Sequence, residues 1–312
     1  MEKLVSLIVL SYKNISGIYE TVDSILNQDY GNIEIIISDD GSPDFEDNKN
    51  KIKAYIEDNK KDNIKSIVIN DIKINAGTVK NINSAIRLSK GDLIKVLSAE
   101  DKLSNKYSLT KYVEFMNNHN YLIAFAKMQG VTEEGEIKSE LLSCESNYEL
   151  LSKYSIEETR NRLFSRNFLP APAWIIDKKL FEQQGLFKED TRLIEDYPYW
   201  IYLCQKGVTF GYIDEILVDY KLSGVSSGGF YSEMFMNDMF IIYNKYIFPY
   251  DRRYRFVQPI YNKLKKAGLN YYMNEAKRSK MGNVKKVVTR IGYLPFHVFV
   301  KLQKVKVNKK QS

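Results

Sequence analysis

Along the first hundred residues, short β-branched runs alternate with stretches whose apolar positions recur every three or four residues. That pattern predicts a parallel sheet buried on both faces by crossover helices. Four strands are expected, Val5 to Ser11, Ile33 to Ser38, Ser66 to Ile69 and Leu93 to Leu97, with helices near Ile18 to Gln28, Phe45 to Asn59 and Thr78 to Ser89. In the first helix Ile18, Val22, Ile25 and Leu26 share one face, and Ser16 is placed to cap it. Beyond Asp101 the alternation loosens. Strands are expected at Tyr121 to Met128, Trp174 to Ile176, Val208 to Tyr212 and Ile216 to Leu222, with a hairpin turn at Glu134-Gly135. The stretch NFLPAPA, Asn167 to Ala173, carries two prolines and reads as a loop bordering a site or as a rigid connector. A small-residue run, SGVSSGG, precedes Tyr/Phe/Met-rich helical stretches. The expected fold class is therefore α/β, a mostly parallel sheet flanked by helices over residues 1–225, followed by a helical C-terminal region, 226–312.

Composition narrows the chemistry. The 312 residues hold two histidines, His119 and His297, and two cysteines, Cys144 and Cys204. A disulfide framework, a four-thiolate zinc site and a histidine cluster are excluded, and carboxylates become the candidates. The short apolar run at the N-terminus follows a single lysine and continues as a β pattern, which is not a signal peptide. No window reaches the roughly 18 to 20 apolar residues of a membrane-spanning helix. A reducing cytoplasm is the expected compartment.

The formal net charge of +7 is uneven, because eleven Lys/Arg and no Asp or Glu lie from Lys277 onward, which leaves −4 for the first 276 residues. In that tail Ile291, Tyr293, Leu294, Phe296, Val298, Phe299 and Val300 interleave with the basic residues. Such a mixture suits an anionic membrane surface or a solubilising tail. Nucleic acid is not expected as a partner, since no stacking motif presents the aromatics.

In an open α/β sheet the ligand lies beyond the carboxyl ends of the strands. Here those ends are Ser11-Tyr12-Lys13-Asn14, Asp39-Asp40-Gly41-Ser42, Asn75-Ala76-Gly77 and Ser98-Ala99-Glu100-Asp101. Each alone reads equally well as a turn. No G-x-G-x-x-G or G-x-x-x-x-G-K-[ST] motif follows a strand, so phosphate chemistry here calls for a metal.

Taken in order, VSLIVLSYKN, SILNQDYGNIEIIISDDGS, NAG, VKNINSAIRLSKGDLIKVLSAED, WIIDKKLFEQQGLF, LIEDYPYWIYLCQKG and LVDYKLSGVSS resemble the inverting family 2 glycosyltransferases, which have the GT-A fold. The resemblance spans roughly residues 3 to 227. It implies a nucleotide-sugar half, about 1–101, and an acceptor half, about 102–225. It also implies that Asp40 reads a pyrimidine, with Asp39 and Tyr12 beside it; a carboxylate accepts the uracil N3–H, a bond cytosine cannot offer. Ser11, Asn75, Gly77, Lys80 and Asn81 complete the nucleotide side. The family's D-x-D signature reads Ser98-Ala99-Glu100 here, with Asp101 next. Ser98 is left to donate toward the ribose or a metal-bound water, and Glu100 and Asp101 are the expected ligands of Mg²⁺ or Mn²⁺. The resemblance assigns the general base to Asp196 of the Glu195-Asp196 pair; a helix N-terminus favours the same acidic residues. Trp174 and Pro172 are expected to shape the acceptor site, with core packing the alternative for Trp174. Many relatives have Tyr-Arg-x-His where this chain has Tyr220-Lys221-Leu222-Ser223, so Lys221 offers a point charge to a phosphate and Ser223 replaces the histidine.

The implied activity is transfer of a sugar, with inversion, from a UDP-sugar to a hydroxyl of a glycan or lipid-linked acceptor in cell-surface polysaccharide assembly. A dTDP or GDP donor stays open. The rival readings are a non-catalytic nucleotide-sugar-binding relative, a nucleotidyltransferase and a membrane-surface scaffold.

Overall fold

The computed structural model describes residues 2–132, 135–138, 151, 154–222 and 232–251, together with 258, 259 and 262. Glu134, Cys144, Ser223, the 223–229 run and the basic tail lie outside the described residues.

Strands β1 (Val5–Ser11), β2 (Ile33–Asp39), β3 (Ile64–Asp71) and β4 (Leu93–Ser98) alternate with helices α1 (Ile15–Leu26), α2 (Phe45–Asn59) and α3 (Thr78–Leu88). The four strands pair in parallel in the order β3-β2-β1-β4. β1 and β2 are buried along their whole length, which is why they read as apolar runs, interrupted inside by Ser6 and Glu34, where the Ser6 hydroxyl donates to the Glu34 carboxylate. Val5, Leu7 and Val9 face the layer of α1, α2 and α4 (Ser108–Asn118). Ile8 and Leu10 face that of α3 and α7 (Asp196–Gln205). The cap of α1 is Asn14, whose side chain accepts from the Gly17 N–H at 3.0 Å, and not Ser16, which sits inside the first turn.

The second half extends the same sheet. β8 (Trp174–Asp177) runs antiparallel to β4, β6 (Ile123–Val131) antiparallel to β8, and β9 (Gly211–Lys221) parallel to β6. The short strands β5 (Lys102–Leu103) and β7 (Ile137–Lys138) pair with β9 and β6. Gly135, at φ +85°, turns the β6–β7 hairpin. The two strands expected over 208–222 are one. Asp214 and Glu215 bulge out of it where the register jumps from Ala126↔Ile213 to Lys127↔Ile216.

Helices α5 (Ile156–Leu163) and α6 (Lys178–Gln184) flank α7 and β8. The helical expectation after Gly229 is met over α8 (Glu233–Ile242), which passes into a π turn, Tyr243–Ile247. Ile242, Ile247 and Phe248 are buried in the same core as α3 and α7. No helix among the described residues is long and apolar enough to cross a membrane.

Trp174 corrects an expectation. It is 1 % exposed and packs edge-on to Trp200, centroids 6.4 Å apart, and against Phe187 at 5.9 Å. Its ring belongs to the core, so it offers no platform to a sugar. Trp174→Ala is expected to cost about 3 to 5 kcal/mol of unfolding free energy in denaturant titration; a loss below about 1 kcal/mol would contradict the core placement.

Candidate active site

The strand order is β3-β2-β1-β4, and a cleft opens beyond the carboxyl ends of β1, β2 and β4. Among the described residues it encloses about 940 Å³. Tyr12, Asp40, Asn81, Ser98, Glu100 and Lys221 are among its lining residues, as are Asn167, Pro172, Glu195, Asp196, Met239 and Tyr243.

At the β2 end the two aspartates divide the work. Asp39 is fully buried and accepts from the Ser42 N–H and hydroxyl, both at 2.7 Å, while the Ser42 oxygen accepts from the Lys13 N–H at 2.6 Å. Asp39 thereby fixes the Tyr12-Lys13 turn, in which Lys13 has φ +56° and Tyr12 stays 45 % exposed beside the cleft. Asp40 faces the cleft. Its carboxylate accepts from the N–H of Ala76 at 2.7 Å, of Gly77 at 2.9 Å and from Asn75 Nδ2 at 2.8 Å. About one of its four acceptor positions is left for a ligand. Burial raises its proton affinity, and the Ala76 and Gly77 amides oppose that. Gly77, at φ +93°, is needed twice, since a Cβ there would lie 2.6 Å from the Arg192 carbonyl oxygen. Arg192 Nη2 in turn donates to the carbonyl and the side-chain oxygen of Asn75 at 2.8 and 2.6 Å.

At the β4 end Glu100 holds φ +86°, a conformation side chains seldom adopt, and its N–H donates to Gly17 O and Thr21 Oγ1. A Cβ on Gly17 would lie 2.6 Å from Glu100 Cγ, so this glycine makes room for the glutamate. Asp101 is 3 % exposed, and its carboxylate accepts from the Lys221 and Ser98 N–H groups at 3.1 and 3.3 Å. Burial pushes its pKa up to about 7. It braces the loop against β9 and, with Glu100, lines the cleft.

Among the described residues no three His, Cys, Asp or Glu side chains gather into a cation cage. The donor set fits a hard cation where a carboxylate of the cleft wall is completed by phosphate oxygens and water.

Glu195 and Asp196 open α7 and are both buried. Asp196 Oδ2 accepts from Asn167 Nδ2 at 2.8 Å and Oδ1 from the Tyr197 N–H at 2.6 Å. Burial raises the proton affinity of both; for Glu195 the neighbouring Asp196 charge raises it further, and for Asp196 the Asn167 hydrogen bond opposes the rise. Two adjacent buried carboxylates do not both ionise easily, so the pair holds a proton near neutral pH.

Most residues named from the sequence meet in this cleft or directly behind it. Lys80 does not: it is exposed on α3, near Glu189. The sequence reading missed Lys95, fully buried, whose Nζ donates to the carbonyl oxygens of Val96, at 3.2 Å, and Pro172. Burial pulls its pKa down to about 7. With Tyr112, whose hydroxyl donates to Ala173 O at 2.9 Å, it clamps the loop bearing Pro172. A lysine inside the run LIKVL was the available signal.

Comparisons with known proteins agree. The family model of glycosyl transferase family 2 matches residues 6–185. An uncharacterized glycosyltransferase of Methanocaldococcus jannaschii is 26 % identical over 70 % of this chain and 71 % of its own length. The Escherichia coli UDP-Glc:alpha-D-GlcNAc-diphosphoundecaprenol beta-1,3-glucosyltransferase WfaP is 31 % identical over 66 % of this chain and 72 % of its own. The chain spans about a third of two matched Rickettsia glycosyltransferases, 33 % of each. In structure it resembles S. aureus TarS 1-349 in complex with UDP-GlcNAc, at TM-score 0.55 and 19 % identity over 77 % of this chain and 65 % of that one. A Pyrobaculum calidifontis mannosyltransferase in complex with GDP-Man and Mn²⁺ superposes at TM-score 0.54 and 15 % identity, over 71 % and 58 %.

The Asn167 contact yields a direct check. Asn167→Leu keeps the branched side-chain shape but removes the hydrogen bond that favours ionised Asp196, so a ¹³C titration of that carboxyl is expected to move to higher pH; an unmoved midpoint would contradict the arrangement.

Proposed function

The chain belongs to glycosyl transferase family 2, with the GT-A fold, and on that premise we propose that it transfers a sugar from a UDP-sugar to an acceptor hydroxyl with inversion at the anomeric carbon. The observation that carries this reading is that two unlike groups line one cleft. Tyr12 and Asp40, an aromatic ring and a carboxylate with one acceptor position to spare, share its lining with the buried, proton-seeking pair Glu195 and Asp196. The UDP-GlcNAc complex of the TarS neighbour supports the choice of donor class.

In this reading the uracil stacks on Tyr12 and gives its N3–H to the remaining acceptor position of Asp40. Ser98 donates to the ribose and Lys221 lies near the diphosphate. Mg²⁺ or Mn²⁺ would be held by Glu100 with the donor's phosphate oxygens, and when bound it neutralises the charge that grows on the leaving diphosphate. Asp196, oriented by Asn167 and the Tyr197 amide, takes the proton of the acceptor hydroxyl as that oxygen attacks from the face opposite the diphosphate. Glu195 keeps its proton, so the pair enters the reaction with one charge and Asp196 as its base. Pro172 and the 170–173 loop border the acceptor, a glycan or lipid-linked saccharide. The basic tail from Lys277 would bring the enzyme to an anionic membrane on the cytoplasmic side.

A second reading has one specific support. Ser98 stands where relatives carry the first acidic residue of the signature, which suits a nucleotide-sugar-binding relative with little or no turnover.

Calorimetric titration of UDP, with CDP and GDP as controls, separates these. UDP is expected to bind preferentially and more tightly with Mn²⁺, and Glu100→Gln to abolish the gain from metal. UDP binding indifferent to metal would favour the second reading, and no nucleotide binding would overturn both. Deleting residues 277–312 is expected to release the protein from anionic liposomes at low salt; unchanged binding would refute the membrane role of the tail.

A further inference from the structure

Three consecutive backbone N–H groups, those of Arg192, Leu193 and Ile194, converge on one carboxylate. Asp238, in the middle of α8, accepts from Arg192 with both oxygens at 3.0 Å; its Oδ2 also accepts from Leu193 at 2.6 Å and from Ile194 at 3.1 Å. Asp238 is 3 % exposed and is the single acid of the run MFMNDMFII. A tie runs the other way at the near end of the same loop, where Asp190 accepts from Lys245 Nζ at 2.6 Å and from the Tyr246 hydroxyl. The loop is therefore pinned at both ends by a helical segment that lies wholly beyond the 6–185 region matched by the family model.

Successive N–H groups that converge in this way form an anion-binding nest. Here the anion is the chain's own aspartate, and a carboxylate is buried in an apolar helix only where such donors satisfy it. The residues that follow the nest are Glu195 and Asp196. We propose that Asp238 is the positioning residue of the carboxylate pair: by filling the nest of residues 192–194 it sets where α7 begins and so holds Asp196 against Asn167. The inference rests on the reading of Asp196 as the base.

The link is electrostatic as well as steric. Among the described residues, the charged groups that raise the proton affinity of Glu195 are Asp196, on its own helix, and Asp238, from α8. The Arg192 guanidinium is engaged with Asn75 instead.

The test compares wild type and Asp238→Asn, in which an amide donor replaces one acceptor oxygen and the charge is lost. Backbone amides of 192–194 are expected to exchange about tenfold or more faster in the variant while β1 and β4 keep their protection. The ¹³C titration midpoint of the Glu195 carboxyl is expected to fall, because a repelling charge is gone. Faster exchange with an unmoved Glu195 midpoint would mean that Asp238 is only structural, and would overturn the proposal. If Asp238→Asn does not fold, exchange in the wild type decides: protected 192–194 amides support the nest, and amides as free as an exposed loop refute it. UDP titration of the wild type keeps the two claims apart. Absent UDP binding would overturn the donor reading and leave the nest result standing, whereas UDP binding with unaltered exchange in Asp238→Asn would overturn this proposal alone.

Discussion

Strand β1 has β2 on one side and β4 on the other, and the placement of every functional group follows from that constraint. The chain winds outward from β1 through β2 to β3 and returns to add β4 on the opposite flank, with α1, α2 and α4 on one face of the sheet and α3 and α7 on the other. The cleft opens beyond the carboxyl ends of β1, β2 and β4. Because both faces are covered, strand interiors are mostly apolar, with Ser6, Glu34 and Lys95 as buried exceptions, and polar residues gather where the strands emerge. There Tyr12, Asp40 and Glu100 line the cleft.

In and behind the cleft, several buried carboxylates accept hydrogen bonds from groups distant in sequence. Asp40 accepts from three donors, Asp238 from three consecutive amides and Asp101 from two. These carboxylates act as staples: each ties segments distant in sequence, β2 to the 75–77 turn, α8 to the 192–194 loop, β4 to β9. Asp196 has one side chain and its neighbouring amide, and beside it stands a second buried carboxylate. Burial beside a second carboxylate is what makes this pair seek a proton. Arg192 connects Asp40 with this pair, since its side chain reaches Asn75 behind Asp40 while its backbone starts the nest that precedes Glu195.

Local physics made the first half of the fold legible: β-branched runs closed by Asp-Asp-Gly-Ser or Ser-Ala-Glu-Asp announced both strands and the rim residues. The errors have local or long-range causes. Ser16 and Asn14 are equally good caps by type, and the backbone at Gly17 decided for Asn14. The 208–222 stretch reads as two strands because Asp214-Glu215 interrupts an apolar run, yet one strand carries them as a bulge, with Asp214 paired to Lys127. Trp174 suits a sugar platform or a core equally, and only the meeting of β8 with Trp200 and Phe187 settled its burial. Asp238 was beyond reach, because its partners lie more than forty residues away and are backbone groups that leave no trace in composition.

The most direct test of the whole account is a crystal structure of the protein with UDP and Mn²⁺. The account places the uracil ring on Tyr12 with its edge at Asp40, the diphosphate toward Ser98 and Glu100, and the Asp196 carboxylate across the cleft on the opposite side. A nucleotide bound elsewhere, or a diphosphate seated against Asp196, would contradict it.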